Sequence, residues 1–370
     1  MSKKIVVFGT RPEFIKILPI ILEVKARNIE NNYCFIYTGQ HNNLISNLFD
    51  TFNFTPNYSI KFKNQKNSIS YSFTHILSNL QVIIDEIKNK FTISIIIGQG
   101  DTTSCLCAGL CSFFNQIPFG HIEAGLRTNN LMNPYPEELF RKIISLTSTI
   151  NFAPTVRAQN NLLREGVKKE NILITGNTIV DAIEILKTET LNNISENSIM
   201  RKFTSKNNVL ITCHRRENQN EKFNELINAV KTLATENSSL NFIWISHATP
   251  FVKKNLTKNN FSSNKNIHVL SPLNIFELFF LYHKTLVVIT DSGGIQEEAP
   301  SFNIPVLIIR DYTERNESVE MGYSQIVGLN YEKLINSFNK IIHKKAIKMI
   351  NPYGKGNAAQ LIVNYLNETF

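Results

Sequence analysis

The chain alternates short apolar segments with helix-forming segments, and it does so in two separate series. The apolar segments of the first series lie at residues 5–8, 34–38, 93–98, 119–122 and 150–153, and those of the second lie at 209–212, 242–246, 267–270, 286–290 and 306–309. Short, continuously apolar strands joined by helices are typical of parallel sheets that helices cover on both faces. Two such series predict an α/β protein with two doubly wound, Rossmann-like domains.

The length of the chain also favours two domains, because 370 residues exceed what one ordinary hydrophobic core holds. We predict an N-terminal domain at residues 1–175 and a C-terminal domain at 176–351. The sequence NPYG at 351–354 then interrupts the chain before a short amphipathic segment. Residues 352–370 are therefore predicted to form a C-terminal helix that packs back on the N-terminal domain.

The composition is that of a soluble globular protein, with 42% hydrophobic and 19% charged residues. No uninterrupted apolar run approaches the roughly 20 residues that span a bilayer. The run after Lys4 reaches Gly9 too soon for a signal peptide. We therefore expect a cytoplasmic protein without a membrane partner. The five cysteines are odd in number and lack the paired spacing of a zinc site, which argues against a disulfide framework and against a metal site.

The net charge of +9 is compatible with two kinds of anionic partner, a nucleic acid or a small ligand. The lysines are scattered among asparagines, and no basic stripe interleaved with aromatic residues is found. We therefore favour a small anionic ligand over nucleic acid. No G-x-G-x-x-G follows a predicted strand and no P-loop is present, so the sequence predicts neither NAD nor ATP, and no cofactor.

The segment at 289–300 predicts a nucleotide diphosphate site. A strand ends there in a turn that contains Ser292, Gly293 and Gly294, and a helix-forming segment follows at once. Backbone N–H groups of such a turn, with the positive end of a helix dipole behind them, bind phosphate. Glu298 lies one helical turn further on, where a carboxylate suits ribose hydroxyls. The alternative is a tight strand–helix turn that binds no ligand.

Three carboxylates of the first half, Asp101, Glu123 and Glu137, lie at or just beyond predicted strand ends. Open α/β sheets bind ligands at that edge. Clustered carboxylates repel one another, which separates their pKa values and places an acid beside a base. Their spacing is not that of metal ligands, so we favour proton transfer. Asp101 could instead cap the next helix, and acids such as Glu138 are common in the first turn of a helix.

Four cationic or imidazole groups also stand at predicted turns. Arg11 and Lys16 follow the first strand, and His214 follows the first strand of the second half. Arg315 follows the last apolar strand. Each is a candidate contact for a phosphate. The alternative for Arg11 is an ion pair with a surface carboxylate, and a lone histidine is usually structural.

With these motifs in order, the chain resembles the non-hydrolysing UDP-N-acetylglucosamine 2-epimerases over nearly its whole length. The motifs that carry the resemblance are GTRPE at 9–13, GDTT at 100–103, HIEAGLRT at 121–128, PYPEE at 134–138, GNT at 176–178, HRREN at 214–218, DSGGIQEEAPS at 291–301, RDYTER at 310–315 and NPYG at 351–354. One of these motifs alone would be weak, whereas the ordered set is highly specific.

The resemblance implies a glycosyltransferase-B type fold, in which the two domains face each other across a cleft that holds a UDP-sugar, and it implies a homodimer. It also implies roles for residues. The positions that match UDP contacts are Arg11, Lys16, His214, Ser292, Gly293, Gly294, Glu298 and Arg315. The positions that match acid/base carboxylates are Asp101, Glu123 and Glu137, and His214 joins them as a catalytic candidate.

The activity that the resemblance implies is interconversion of UDP-GlcNAc and UDP-ManNAc, by elimination of UDP to 2-acetamidoglucal and re-addition. Three alternatives stay open: 2-epimerisation of another UDP-2-acetamido sugar, hydrolytic release of ManNAc and UDP, and UDP-sugar transfer by an enzyme of the same fold. A nucleotide-sugar sensor without activity would have no reason to keep the three carboxylates together.

This chain departs from the family pattern at several positions. Gln99 stands where many members have His, and Leu278 stands where Phe is frequent near the base. Many bacterial members also bind a second UDP-GlcNAc as an activator. The positions that match this second site are Gln40, Asn43, Lys66, Asn67 and His247. Asn43, Lys66 and Asn67 differ from the usual residues, and Lys lacks the bidentate fork of Arg, so we expect weak activation.

Overall fold

The computed structural model describes residues 2–40, 45–62, 68–190, 198–246, 249–259, 261, 264–343 and 350–370. The chain divides into two compact units. The N-terminal unit comprises Met1–Ala182 and Tyr353–Phe370, and the C-terminal unit comprises Ile183–Pro352. Within the described parts of the chain, no helix is both long enough and apolar enough to cross a bilayer.

The N-terminal unit contains a parallel sheet of seven strands. In chain order these are β1 (Ser2–Phe8), β2 (Tyr33–Tyr37), β3 (Tyr58–Ser59), β4 (Thr92–Gln99), β5 (Phe119–Ile122), β6 (Ile150–Ala153) and β7 (Ile172–Ile174). Their spatial order is β3-β2-β1-β4-β5-β6-β7. The chain therefore winds outward from β1 in one direction and from β4 in the other, so the carboxyl ends of β1 and β4 form the topological switch point where such sheets bind ligands.

Helices connect these strands. They are α1 (Arg11–Ala26), α2 (Ser46–Thr51), α3 (Ile69–Lys88), α4 (Thr103–Phe114), α5 (Glu137–Thr147), α6 (Val156–Arg164) and α7 (Thr178–Thr190). The core of the unit includes Cys105, Cys107 and Cys111 on α4, all fully buried and free of disulfide bonds. These cysteines pack as small apolar residues, because burial raises their pKa values and keeps them protonated.

The C-terminal unit contains a parallel sheet of six strands. They are β8 (Asn208–Thr212), β9 (Asn241–Ile245), β10 (Ile267–Leu270), β11 (Thr285–Thr290), β12 (Val306–Ile308) and β13 (Ser324–Ile326), in the spatial order β10-β9-β8-β11-β12-β13. The helices are α8 (Phe223–Glu236), α9 (Pro250–Lys258), α10 (Ile275–His283), α11 (Gly293–Glu298), α12 (Asn316–Glu320) and α13 (Tyr331–Ile342). The switch point of this sheet lies between β8 and β11.

The last helix, α14 (Ala358–Thr369), belongs to the N-terminal unit and packs on α1. The passage that leads into it contacts the GNT motif. The N–H of Asn177 donates to the carbonyl of Tyr353 at 2.7 Å, and a Cβ on Gly354 would lie 3.1 Å from the Cα of Gly176. Because this contact joins the start of α7 to the C-terminal segment, the N-terminal unit extends to residue 182, beyond the boundary expected at 175.

Three strands escaped the sequence analysis, namely β3, β7 and β13. Each has only two or three residues, and each forms an edge of its sheet. β3 and β13 include polar residues, and β7 consists of only three apolar residues, so none of the three contains an apolar run of four or more residues. All ten apolar segments that were predicted as strands overlap strands of the structure.

Candidate active site

Glu13 joins the turns that follow β1 and β4. Thr10 and Glu13 form a capping box at the start of α1, in which Oε2 of Glu13 accepts from the backbone N–H groups of Gly9 at 3.0 Å and Thr10 at 2.7 Å. The other oxygen, Oε1, accepts from the Thr102 hydroxyl at 2.6 Å. Burial raises the pKa of Glu13 to about 7 even though these hydrogen bonds oppose the rise. Glu13 therefore fixes the GTRPE and GDTT motifs relative to each other.

The β1 turn also requires glycine at position 9. A Cβ there would lie 2.1 Å from the hydroxyls of Thr38 and Ser104, which are hydrogen-bonded to each other at 2.7 Å. Arg11, a predicted phosphate contact, is the first residue of α1 and is half-buried.

Glu123 follows β5 and is nearly buried. Lys16 Nζ lies 2.7 Å from its Oε1 and 2.6 Å from its Oε2, and the side-chain amide of Gln99 also donates to Oε2. The backbone of Glu123 has a φ of 69°, a left-handed conformation that is uncommon for a residue other than glycine. The structure thus brings together Lys16 and Glu123, which the sequence analysis assigned to different roles.

Asp101 follows β4 and is held by Arg141. The guanidinium of Arg141 contacts Oδ2 of Asp101 through Nε at 2.9 Å and Nη2 at 2.8 Å. Nη1 of Arg141 contacts Glu138 at 3.1 Å. Glu138 is fully buried, and it also accepts from the N–H of Asn129 at 2.9 Å. Glu138 therefore forms an ion pair with Arg141, in addition to the interaction with the helix dipole that its place in the first turn of α5 predicts.

The turn that carries Asp101 is fixed from the neighbouring strand. Gly100 has a φ of 74°, and its carbonyl accepts from Nε2 of His121 at 2.8 Å. Burial lowers the pKa of His121 to about 4, so this imidazole stays neutral at physiological pH. The third predicted carboxylate, Glu137, is half-buried and is the first residue of α5. Its neighbour Glu138 shares Arg141 with Asp101, so the start of α5 is connected to the turn that follows β4.

In the C-terminal unit, Asp291 organises the loop that carries His214. This fully buried carboxylate accepts from the backbone N–H of His214 at 2.9 Å, that of Arg215 at 2.8 Å and the amide of Asn218 at 2.9 Å. Nδ1 of His214 lies 3.0 Å from Oδ1 of Asp291. Burial alone would raise the pKa of Asp291, but the hydrogen bonds and charge of His214 and the other donors lower it to about 2. Asp291 thereby fixes the orientation of the imidazole.

The Ser292–Gly294 turn lies against Arg315. A Cβ on Gly293 would lie 2.6 Å from both Cζ and Nη1 of Arg315, so only glycine permits this approach. The N–H of Ser292 donates to the hydroxyl of Thr290 at 2.9 Å, within the turn itself. That hydrogen bond removes one of the backbone donors that the sequence analysis assigned to phosphate.

Arg315 is part of a buried network of charges. Its Nε and Nη2 lie 2.9 Å from Oε1 of Glu297, and its Nη1 contacts Glu314. Glu314 also contacts Nη1 of Arg310 at 3.1 Å, and Arg310 contacts Glu217 at 3.0 Å. The network explains the RDYTER motif as a structural feature, and a phosphate contact of Arg315 stays a prediction.

A pocket with a volume of about 160 Å³ opens beside these loops in the C-terminal unit. It is lined by Thr212, Cys213, His214, Ile245, Ser246, Pro272, Leu273, Leu278, Ser292 and Ile295. The exposed surface of the wall is largely apolar, and the polar side chains of Thr212, His214, Ser246 and Ser292 are also part of it, which is the usual composition of a small-molecule site.

Comparison with known proteins identifies the family. The family model described as UDP-N-acetylglucosamine 2-epimerase matches residues 23–367. The UDP-N-acetylglucosamine 2-epimerase of Campylobacter jejuni is 38% identical, with 99% of this chain and 98% of that protein covered. The enzyme of that name from Neisseria meningitidis serogroup A is 37% identical, with coverage of 98% and 99%. The chain belongs to the UDP-N-acetylglucosamine 2-epimerase family.

Solved structures agree with this assignment. The UDP-GlcNAc 2-epimerase of Neisseria meningitidis bound to UDP-GlcNAc has a TM-score of 0.88 and 34% identity, with both chains covered completely. The Methanocaldococcus jannaschii UDP-GlcNAc 2-epimerase in complex with UDP-GlcNAc and UDP has a TM-score of 0.84 and 32% identity, also with complete coverage. The predicted family and the predicted fold of two doubly wound domains are confirmed.

Two departures from the epimerase pattern can now be placed. Gln99 donates to Glu123, so an amide without a titratable proton occupies the position where many members have His. Leu278 lines the pocket. Of the predicted activator positions, Gln40 accepts from Ser104 at 2.9 Å, whereas Asn43, Lys66, Asn67 and His247 lie outside the described residues. Among the described residues, no cluster of three or more His, Cys, Asp or Glu side chains has the arrangement of a metal site.

Four residues with structural roles in this epimerase site were missed by the sequence analysis. The Thr-x-x-Glu spacing of a capping box could have identified Glu13. Asp291 could have been identified because it is an acid that directly follows an apolar strand. Arg141 and Tyr282 have no local sequence signal for these roles, because the carboxylates that they hold, Asp101 and Glu298, are distant from them in the chain.

Proposed function

We propose that this protein is a non-hydrolysing UDP-GlcNAc 2-epimerase, an isomerase that interconverts UDP-GlcNAc and UDP-ManNAc. One observation carries the proposal: two carboxylates at the switch-point edge of the N-terminal sheet, Asp101 and Glu123, are each held by a cation, Arg141 and Lys16. Such contacts fix the orientation of the carboxylates, as proton transfer to and from a defined carbon atom requires. The names of the relatives that match the whole chain support the same activity.

The C2–H bond of the sugar has no adjacent carbonyl, so direct deprotonation would be very slow. In the proposed reaction UDP first leaves C1 with the bonding electron pair, which gives an oxocarbenium-like sugar. A base then removes the C2 proton, and 2-acetamidoglucal forms. Protonation of C2 on the opposite face and re-addition of UDP at C1 complete the inversion. Asp101, Glu123 and Glu137 are the proposed acid/base groups.

Departure of UDP requires stabilisation of the diphosphate, for which we propose Arg11, His214 and Arg315. The arrangement of His214 supports this role most directly. Asp291 contacts Nδ1 of the imidazole and so fixes the orientation of the ring, and His214 lines the pocket together with Ser292. A buried carboxylate behind an imidazole fixes its orientation in other catalytic sites.

We propose that the pocket of the C-terminal unit binds the uridine of the substrate. Leu278, Pro272 and Ile245 offer apolar surface for the base, and Ser292 marks the end nearest the phosphates. Glu298 lies one helical turn after Gly294 on α11, where it is the proposed acceptor for ribose hydroxyls.

One experiment separates this function from its alternatives. UDP-GlcNAc is incubated with the protein, and ¹H and ³¹P NMR spectra are recorded over time. We expect a stable mixture of UDP-GlcNAc and UDP-ManNAc with only traces of UDP. Accumulation of free ManNAc and UDP would show a hydrolysing enzyme. An unchanged substrate would leave a transferase, or an epimerase of another UDP-2-acetamido sugar, as the activity.

Substitution of the proposed acid/base groups tests their roles. Asp101→Asn, Glu123→Gln and Glu137→Gln should each lower kcat by about 10²-fold or more, the usual scale for loss of a general acid or base. Glu170→Gln is the matched control, because Glu170 is exposed on the surface of the same unit and should leave kcat unchanged. Since no cofactor or metal is part of the proposal, dialysis against EDTA should also leave the rate unchanged.

We also propose a cytoplasmic homodimer. Phe113 and Phe114 at the end of α4 are 63% and 64% exposed, and Leu146 on the adjacent helix α5 is 83% exposed. Exposed aromatic side chains of this size are typical of protein interfaces, and the second copy is the occupant that the family resemblance implies. Light scattering after size-exclusion chromatography should give twice the chain mass, and Phe114→Glu should lower it toward that of one chain.

A further inference from the structure

Tyr282 contacts Glu298, the proposed ligand-binding carboxylate. No sequence motif indicates this contact. The hydroxyl of Tyr282 donates to Oε2 of Glu298 at 2.6 Å. Tyr282 lies near the end of α10 and is 1% exposed, whereas Glu298, the last residue of α11, is half-buried. A fully buried phenol thus donates a short, charge-assisted hydrogen bond to a carboxylate that solvent reaches.

The second oxygen of Glu298 lies at the Ser292–Gly294 turn. A Cβ on Gly294 would lie 3.8 Å from Oε1 of Glu298 and 3.9 Å from the hydroxyl of Ser292. Ser292 is also a wall residue of the pocket. One oxygen of Glu298 is therefore held by Tyr282, and the other lies beside the turn that contributes Ser292 to the pocket.

The ring of Tyr282 is held in place by aromatic neighbours. The centroid of Phe302 lies 5.1 Å from that of Tyr282, and the centroid of Phe279 lies 5.7 Å from it. Nζ of Lys187 lies over the ring of Phe302 at 5.0 Å from its centroid. Such packing restricts the rotation of Tyr282, so its hydroxyl is a fixed donor.

Tyr282 also stands one helical turn after Leu278 on α10. Residues four apart on a helix share a face, and Leu278 lines the pocket. One face of α10 thus supplies both an apolar contact in the pocket and the support of the carboxylate. Burial, together with the charge of Glu298, raises the pKa of Tyr282 well above its usual range, so the phenol keeps its proton.

We propose that Tyr282 is a positioning residue that sets ribose recognition, by holding Oε2 of Glu298 so that Oε1 accepts from a ribose hydroxyl. The inference rests on the proposed function, since it assumes that UDP occupies this pocket. Tyr282 would thus determine nucleotide specificity although it does not line the pocket itself.

The test compares UDP with 2′-deoxy-UDP by isothermal titration calorimetry. The wild-type protein should bind UDP about 10-fold or more tightly than 2′-deoxy-UDP, as expected for a hydrogen bond to a charged group. Tyr282→Phe keeps the ring and its packing. It should weaken UDP binding about 5- to 10-fold and reduce the preference for UDP over 2′-deoxy-UDP to about 2-fold, because Glu298 loses the hydrogen bond that orients it. In turnover, KM should rise while kcat stays within about 2-fold, because the contact is the same in ground and transition states.

Two further variants complete the design. Glu298→Gln should reduce the preference for UDP in the same way, and the double variant should lose little more than either single variant, since the two residues act through one contact. Tyr33→Phe is the matched control. It removes another buried hydroxyl, one that donates to Asn367 at 3.2 Å in the N-terminal unit, and it should leave the preference unchanged.

The outcomes separate this inference from the proposed function. If Tyr282→Phe keeps the full preference for UDP, or loses affinity for UDP and 2′-deoxy-UDP equally, the inference is wrong and the epimerase proposal is untouched. If the preference falls as expected but wild-type protein does not epimerise UDP-GlcNAc, the inference stands and the reaction is wrong. If wild-type protein does not bind UDP, both are overturned.

Discussion

Nζ of Lys16 lies within 2.7 Å of both carboxylate oxygens of Glu123, and the two side chains are only 11% and 5% exposed. The amide of Gln99 donates to the same carboxylate. Lys16 lies on the first helix, which begins within the GTRPE motif, and Glu123 directly follows β5 within the HIEAGLRT motif, so the pair connects these two segments. The cation predicted to bind UDP is therefore also a direct partner of a predicted acid/base group.

The first prediction concerns the stability of this pair. Lys16→Met leaves a buried carboxylate without its cation, and it should lower the free energy of unfolding by about 3–5 kcal/mol. The double variant Lys16→Met/Glu123→Met should be less destabilised than the sum of the single variants, because it removes both charges. Urea denaturation of the four proteins measures the coupling. Lys90→Met breaks an exposed pair with Glu86 and should change little. Additive losses in the double variant would contradict the prediction.

The second prediction concerns Glu13, whose pKa burial raises from 4.5 to about 7. An acid with a raised folded-state pKa favours the folded protein below its unfolded pKa, and that contribution is lost as the pH rises through the folded value. Relative to Glu13→Gln, the wild-type protein should therefore lose about 3 kcal/mol of unfolding free energy between about pH 4.5 and pH 8.

Urea denaturation of both proteins at several pH values in that interval measures the difference. A difference that does not change with pH would show that Glu13 is ionised throughout. The variant keeps a carbonyl oxygen for the N–H groups of Gly9 and Thr10, so the comparison isolates the ionisation.

The third prediction concerns Asp291, whose contribution to stability depends on pH in the opposite direction to that of Glu13. The pKa of Asp291 is lowered to about 2, because hydrogen bonds from His214 and its neighbours outweigh the effect of burial. Its contribution to stability is present above the unfolded pKa of about 4 and is lost as the pH falls toward 2. Asp291→Asn should cost about 2 kcal/mol at pH 7. That cost should shrink as guanidinium denaturation is repeated from pH 5 down to pH 3, and a constant cost would contradict the prediction.

The fourth prediction compares two adjacent glycines of α11. A Cβ on Gly293 would lie 2.6 Å from the guanidinium of Arg315, so Gly293→Ala should lower the free energy of unfolding by about 1–3 kcal/mol. Gly294→Ala is the matched control, because its Cβ would meet only Glu298 and Ser292 at 3.8–3.9 Å. It should be neutral, or stabilising by about 0.5 kcal/mol. Equal melting temperatures for the two variants would show that Arg315 moves aside freely.

Much of the fold could be predicted because fully buried parallel strands leave continuous apolar runs. β1 and β8 are such strands, and each is followed directly by a motif that carries a candidate site residue. β3 could not be predicted because two residues at a sheet edge bury too little to mark the sequence. Local patterns thus define strands with a mainly apolar segment of four or more residues, including the edge strand β10, and miss edge strands of two or three residues.

The candidate site was predictable only in part, for a related reason. A residue at a strand end, such as Asp101, can be recognised from its own neighbours in sequence. The residues that hold it cannot: Arg141 contacts Asp101 across forty positions of the chain, and Tyr282 reaches Glu298 across sixteen. These contacts depend on which helices pack beside each sheet edge, which no local pattern specifies.

Deuterium incorporation at C2 tests the central claim most directly. UDP-GlcNAc is converted in D₂O, and the product is examined by ¹H NMR and mass spectrometry. If UDP leaves first and C2 is then deprotonated and reprotonated, the UDP-ManNAc formed carries deuterium at C2, and traces of 2-acetamidoglucal accompany free UDP. UDP-ManNAc that retains protium at C2 would contradict the account.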